Sequence, residues 1–422
     1  MSLRLYDARR GGLHSFAPIG DRPSVGLYVC GVTPYDTGHL GHAFTYVGFD
    51  VVHRYLEFLG HDVRYVQNLT DVDDDMLRKA RETGENYLEL GLRHVTTFLT
   101  EMAALNWLPP DDYPRATQHI PQMVELIAAL VDKGIAYPAE GNVYFSVAAD
   151  PSYGQLSKLG ADAMLPIANE RGNVPDMPGK RNPLDFVLWQ RSLPDEPAWP
   201  SPWGPGRPGW HIECSAMAMA YLGTRFEIHG GGADLLFPHH ESELAQSEHA
   251  SGDRPAVGWW MHAGMLGYRG HKMSKSLGNL VLVRDLLCTY PGDAIRHYLV
   301  SHHYRSEVEF VDGDMDASAA AAARLRQACL RADELAASGP GRAGPSPAEV
   351  AEHRRRFLAA MDDDLDTPHA MTELMSLADL ALASDEPATV VAAGEAVTEL
   401  GGRILGLRLA PHADAVSAST AA

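Results

Sequence analysis

Two short segments far apart in the chain carry side chains that suit one chemistry. His39-Leu40-Gly41-His42 follows an apolar run, Leu27-Tyr28-Val29-Cys30, and Lys272-Met273-Ser274-Lys275-Ser276 stands in a polar stretch much later. Imidazoles near a helix N-terminus lie beside unpaired N–H groups and the positive pole of the helix, where phosphate oxygens bind. Lysines on a loop of small residues can neutralise charge on a departing pyrophosphate. In this order the segments describe an ATP site, with His39, Gly41 and His42 on one side and Lys272 and Lys275 on the other.

A second set has metal-ligand chemistry. Cys30, Cys214, His239 and Glu243 offer two thiols, an imidazole and a carboxylate, a donor set that suits tetrahedral Zn²⁺. His239 and Glu243 are four apart and share a face if helical. By residue type alone a bland reading stays open, since isolated buried cysteines behave as small hydrophobes and a His near a Glu is commonly a polar pair.

These residues need a scaffold. Gly26–Cys30 reads as a strand, 43–59 as an amphipathic helix, and His61–Asn68 as a second strand, the unit that a parallel sheet requires. Trp210–Cys214, Phe226–Gly230 and 259–265 read as strands of the sheet's second half. The stretch 73–137 is mostly helical, broken at Pro109-Pro110, and 150–208 is Pro- and Gly-rich with little periodicity. Asp285–His303 and the Ala-rich 316–337 read as helices. The expected organisation is an α/β, doubly wound parallel sheet, a split Rossmann-like core, with an insertion and a C-terminal helical domain. Residues 1–110 and 209–310 would form its halves and 111–208 the insertion. Residues 311–410 would be helical, with a linker at 339–347, and 411–422 a flexible tail.

A chain of 422 residues suggests two or three domains, and 45% hydrophobic residues supply a large core. The formal charge of −20 argues against a broad basic nucleic-acid or membrane surface. Four cysteines do not make a disulfide framework, and no run is long enough to span a bilayer. A reducing cytoplasm is the expected setting, with no membrane partner.

The two ATP segments resemble those of class I aminoacyl-tRNA synthetases, whose reaction makes an aminoacyl-adenylate. Trp210-His211-Ile212-Glu213-Cys214-Ser215-Ala216-Met217, the stretch Ile228–Glu241 with its Gly230-Gly231-Gly232-Ala233-Asp234 core, and Tyr28-Val29-Cys30-Gly31 look like cysteinyl-tRNA synthetases. That resemblance implies one zinc per chain on Cys30, Cys214, His239 and Glu243, accepting the thiolate of substrate cysteine. It implies a cysteine pocket of Thr33, Thr70, Trp210 and Asp234. Gly230, Gly231 and Gly232 would let backbone approach the adenylate, and ATP would arrive with Mg²⁺.

The acceptor divides two similar families. Pro114–Ile120, Leu184–Trp189 and Glu243 look like the synthetases, which charge cysteine tRNA. Thr33-Pro34-Tyr35-Asp36, His262–Met265 and Glu170-Arg171-Gly172 resemble mycothiol-pathway ligases, which join cysteine to the amine of glucosaminyl-inositol, although Asn173 and Val174 depart from their pattern. The balance of core motifs favours a cysteine–tRNA ligase, with the small-amine ligase as alternative. A non-catalytic cysteine- or nucleotide-sensing paralogue is a third reading, disfavoured by intact ATP motifs. The resemblance ends near Leu409, so weak anticodon reading is expected. The run Asp362-Asp363-Asp364-Leu365-Asp366 has the wrong sign for phosphate, and His353, Arg354, Arg355 and Arg356 read as a solvated helix face before they read as a local basic strip. Oligomeric state is not legible.

Overall fold

The computed structural model describes residues 2–19, 23–35, 38–273, 277–338 and 347–409. Lys275, all but the last residue of the expected linker, and the expected tail lie outside them. Four parallel strands form the central sheet in the order Val257–Ala263, Phe226–Gly232, Val25–Val29, Val63–Gln67. All five residues of Val25–Val29 are buried, as expected of a parallel strand covered on both faces. The order reverses between Val25–Val29 and Phe226–Gly232, so a crevice opens at their carboxyl ends. Cys30 stands in that crevice, its N–H bonded to the Gly230 carbonyl at 2.9 Å.

Helix Leu40–Phe58 covers one face of the sheet, burying Phe44, Val47, Val51 and Tyr55. His39 caps it, its Nδ1 accepting from the Gly41 N–H at 3.1 Å. Trp210–Leu222 on the other side is a helix, where the sequence predicted a strand through Cys214. The cause is burial nearly all round, from His211 to Ala218 without a break, which erases the 3.6-residue contrast that marks a surface helix. A five-residue π turn, Leu236–His240, leads into helix Glu241–Ser251, so His239 and Glu243 sit on successive turns of one helical path.

The insertion is more regular than its composition predicted. Ala136–Ala139, Asn142–Phe145, Phe186–Arg191 and Gly206–Pro208 form an antiparallel sheet. Helix Ala161–Glu170 packs on the π turn. Asn142–Phe145 answers to the strand signal at Asn142–Val147, while the others are too short, and too widely separated by loops, to print a period on the sequence. Asp285–His303, expected as one helix, is two, Val283–Leu287 and Gly292–Val300, with Pro291 capping the second. Lys272 ends the short strand His271–Lys272, which pairs with Leu266–Tyr268.

Four C-terminal helices, Asp314–Ser338, Ala348–Met361, Thr367–Ala383 and Pro387–Val397, share one apolar cluster with the sheet. Polar joints reinforce it. Buried Arg296 pairs with Asp50 and donates to the carbonyls of Leu105 at 2.8 Å and Leu405 at 2.5 Å. The acidic run is another joint: Asp364 accepts from the Tyr6 N–H, Tyr304 Oη and Arg305 Nε, and Asp362 from Tyr55 Oη. The residues that could have made a basic strip are instead a paired, solvated helix face: His353 pairs with Glu373, Arg354 with Glu399, and Arg355 and Arg356 with Glu352. Among the described residues no helix is long and apolar enough to cross a membrane.

Candidate active site and metal centre

A cavity of about 1220 Å³ opens at the carboxyl edge of the sheet. Its wall includes Cys30, Thr33, His39, His42, Trp210 and Asp234. Tight backbone contact builds the crevice: a Cβ on Gly31 would lie 1.6 Å from the Asn68 carbonyl oxygen, so only glycine lets the two loops touch.

Cys30, which lines its floor, converges just behind it with Cys214, His239 and Glu243, their ligand atoms within 4.8 Å of one another. Cys30 follows a strand, while Cys214 rises from one helix and His239 and Glu243 from another path. Their relative exposures are 4%, 1%, 1% and 0%. His239 Nε2 is 3.0 Å from Glu243 Oε1, and its other nitrogen meets His211 Nδ1 at 2.9 Å. Trp210 stacks on the His239 ring at 4.3 Å. The ring is therefore fixed from three sides with Nε2 facing the carboxylate, the arrangement a metal-binding imidazole needs.

Burial pushes the Glu243 carboxyl up, but His229 and His239 outweigh it and hold the group well below the usual range. Burial likewise raises the Cys30 thiol, with Cys214 beside it adding to the rise. Cys214 also feels burial, yet hydrogen bonds with Cys30 and His239 bring it down to about 6. One thiol of the pair thus gives up its proton readily. Two sulfurs, one nitrogen and one carboxylate oxygen, buried and convergent, fit zinc. Cys30 and Glu243 also converge with His229 and His240 as a second set. His240 Nδ1 is engaged by His262 Nε2 at 2.8 Å, and His229 stacks on Trp260 at 4.5 Å. The first set, with two sulfurs, suits zinc better.

The mouth is built differently. The rings of His39 and His42 stack at 3.8 Å. Burial lowers His39 to about 3, helped by His42 and Lys272, and lowers His42 to about 4. Both are neutral near pH 7. Lys272 Nζ lies 2.8 Å from Asp234 Oδ2, and Arg171 approaches the same oxygen at 3.4 Å. Burial raises Asp234, but Lys272 and then Arg171 pull it lower overall.

The sequence-derived residues divide. Thr33, Trp210, Asp234, Gly41 and Gly232 line the cavity. Thr70 does not line it; it is buried, with Oγ1 accepting from Asn68 Nδ2 at 3.3 Å. Gly230 and Gly231 lie behind the wall as well. A Cβ on Gly230 would meet the Phe49 ring at 2.2 Å, so its bareness serves the packing of helix on strand.

Residues 16–320 match the family model described as tRNA synthetases class I (C) catalytic domain. The chain belongs to that family. Cysteine–tRNA ligases of Cronobacter sakazakii and Escherichia coli are each 46% identical over 377 residues, which is 89% of this chain and 78% of theirs. Among solved structures, Mycobacterium tuberculosis methionyl-tRNA synthetase in complex with methionyl-adenylate is 15% identical, with TM-score 0.68 and coverage of 91% of this chain and 92% of that one. A ternary LeuRS–tRNA–LeuAMS complex of Agrobacterium radiobacter is 12% identical, also with TM-score 0.68, covering 93% and 86%. At such identities these two establish the fold.

Within this class I synthetase core the sequence reading missed a layer of histidines. His211, His229, His240 and His262 surround the metal-ligand set, and burial keeps His211 and His262 down at about 3 and His240 well below its ordinary value. The available signal was density, since the chain holds 20 histidines and five of them fall from 229 to 262 beside the Gly-rich stretch.

Proposed function

We propose that this chain is an ATP-dependent ligase that activates L-cysteine and transfers it to cysteine tRNA. The observation that carries the reading is the convergent Cys30–Cys214–His239–Glu243 set behind the floor of the cavity whose mouth holds His39, His42 and Lys272. A zinc ion held there would supply a soft site for a substrate thiolate, excluding serine by metal preference and valine for want of a ligand atom. Trp210, stacked over His239, forms a wall of that pocket.

In this reading the triphosphate of ATP lies between His39 and His42 on one side and Lys272 on the other. Neutral His39 and His42 orient phosphate oxygens by hydrogen bonding and add no charge. A cysteine carboxylate oxygen attacks the α-phosphorus, and the bond from phosphorus to the bridging oxygen breaks. Lys272 and Lys275 meet the charge that develops on departing pyrophosphate. A hydroxyl of the tRNA terminal ribose then attacks the carbonyl carbon and AMP leaves.

The test is pyrophosphate exchange into ATP, measured with cysteine, with serine and with no amino acid, followed by charging. Exchange with cysteine alone, and esterification of cysteine tRNA, are expected. Exchange without any charging, with cysteine amide formed on glucosaminyl-inositol, would replace the tRNA acceptor by a small amine. No cysteine-dependent exchange in zinc-loaded protein would remove the enzymatic reading.

A further inference from the structure

Neutral His39 and His42 leave the phosphate charge of ATP to be met by cations. Several cations line the cavity among the described residues, and most are committed elsewhere. Buried Arg207 pairs with Asp74 and Glu196. Lys180 donates to Asn173 Oδ1 and to the Val174 carbonyl. Arg78 pairs with Asp75, and Lys79 with Glu82. Lys272 and Arg171 differ, because both converge on one oxygen of Asp234, beside the stacked His39 and His42. Lys272 belongs to the second ATP motif. Arg171 belongs to neither, since it closes the C-terminus of helix Ala161–Glu170 in the insertion.

We propose that Arg171 is a phosphate-binding residue of the activation step, leaving Asp234 for the β- and γ-phosphates of ATP and drawing the insertion over the cavity. This rests on the ligase reading above. The exchange of partners is favourable on three counts. Asp234 divides a single negative charge between two cations, while a triphosphate carries several charges. A guanidinium fork matches two phosphate oxygens at once, and only one contact is given up. At 3.4 Å that contact is longer than the roughly 2.7–2.9 Å of a strong charge-assisted bond. The side chains of Arg171, Asp234 and Lys272 are 33%, 27% and 49% exposed, so water compensates each as it moves. The step is the one already described, in which the phosphorus–oxygen bond breaks and pyrophosphate departs, now with Arg171 beside the leaving group.

Asp234 makes the proposal testable by sign. Tripolyphosphate is the probe, titrated calorimetrically into zinc-loaded full-length protein without cysteine. Arg171→Ala should weaken its binding about tenfold, as expected for loss of a charged fork, and Arg171→Lys should restore part of that. Asp234→Asn, which frees both cations, should instead tighten it. In cysteine-dependent exchange, Arg171→Ala should lower kcat/KM for ATP and leave the KM for cysteine within about twofold, because phosphate contacts alone are lost. Were Arg171 only a tether between insertion and Asp234, the two variants would move tripolyphosphate binding in the same direction, and that result would overturn the proposal. So would unchanged binding and exchange in folded Arg171→Ala. Wild-type protein that binds tripolyphosphate but shows no exchange would sink the ligase reading and leave phosphate binding by Arg171 standing.

Discussion

The floor and the mouth of the cavity use similar residue types to opposite ends. At and behind the floor, Cys30, Cys214, His239 and Glu243 are almost wholly buried, and each is fixed by a partner from another element. At the mouth, Lys272 and Arg171 are exposed and share one carboxylate. Breaking a buried charged cluster strands its remaining members in low dielectric, whereas water fills in at once for a surface pair. The floor is therefore preformed and suited to choosing a side chain. The mouth is exchangeable and suited to meeting charge that appears only during reaction.

The sharpest way to break this contrast is on the floor. Cys214→Ser should reduce zinc from about one per chain to near zero by elemental analysis, since a four-ligand site loses a thiolate. Selectivity for cysteine over serine in exchange should disappear with it. Full zinc and full selectivity in that variant would show that the set is mere packing. At the mouth, Lys272→Ala should lower the exchange rate about a hundredfold with little change in cysteine KM, as expected when charge stabilisation is lost mainly from the transition state. Lys275→Ala should do the same, and a rate equal to wild type would reduce either lysine to a solvated loop residue.

Acid sharpens the comparison further. His39 and His42 titrate near 3 and 4 in the folded chain, against an ordinary 6.5. Between those values the unfolded chain binds protons that the folded chain refuses, so stability is complete above about 6.5 and falls as pH drops. The melting temperature should decrease from pH 7 to pH 5, and His42→Gln should flatten that slope. Glu101, packed beneath the first ATP loop against Gly38, has the opposite sign. Burial raises its carboxyl to about 7 against the pull of Arg284, so the folded chain keeps a proton and loses stability as pH rises from about 5 through 7. Glu101→Gln should raise the melting temperature at pH 8 and leave it unchanged at pH 5. The smallest effect belongs to the paired, solvated helix face at 353–356. Arg355→Ala should alter neither melting nor charging, because its partner Glu352 is an exposed neighbour on the same helix.

Much of this was legible in the residues. The apolar run before Cys30 and the helix after His39 gave the first half of the sheet, and the ligand set emerged once motif resemblance was added to residue type. Helix Trp210–Leu222 was hidden because periodicity reports contrast between faces, and a helix covered on nearly every side has little. The histidine layer was hidden because each ring alone is an ordinary polar residue, and only the crossing of four elements brings them together. Arg171 lies in a stretch without period, where a cation's partner cannot be read from its neighbours. The acidic run at 362–366 looked like a repelling surface. Its role as a joint depends on Tyr6, Tyr304 and Arg305, all distant in sequence.

Arg296 ties three distant stretches of chain with one guanidinium, and Asp50, its ion-pair partner, lies on the helix that begins at His39 and His42. Loosening the last helices withdraws the Leu405 carbonyl and leaves a buried cation short of a partner, a loss that unfolding of helix Leu40–Phe58 then relieves. The terminal helices and the sheet thus have no separate thermal life: calorimetry should record a single endotherm. Arg296→Met should move that endotherm as a whole, without splitting it in two.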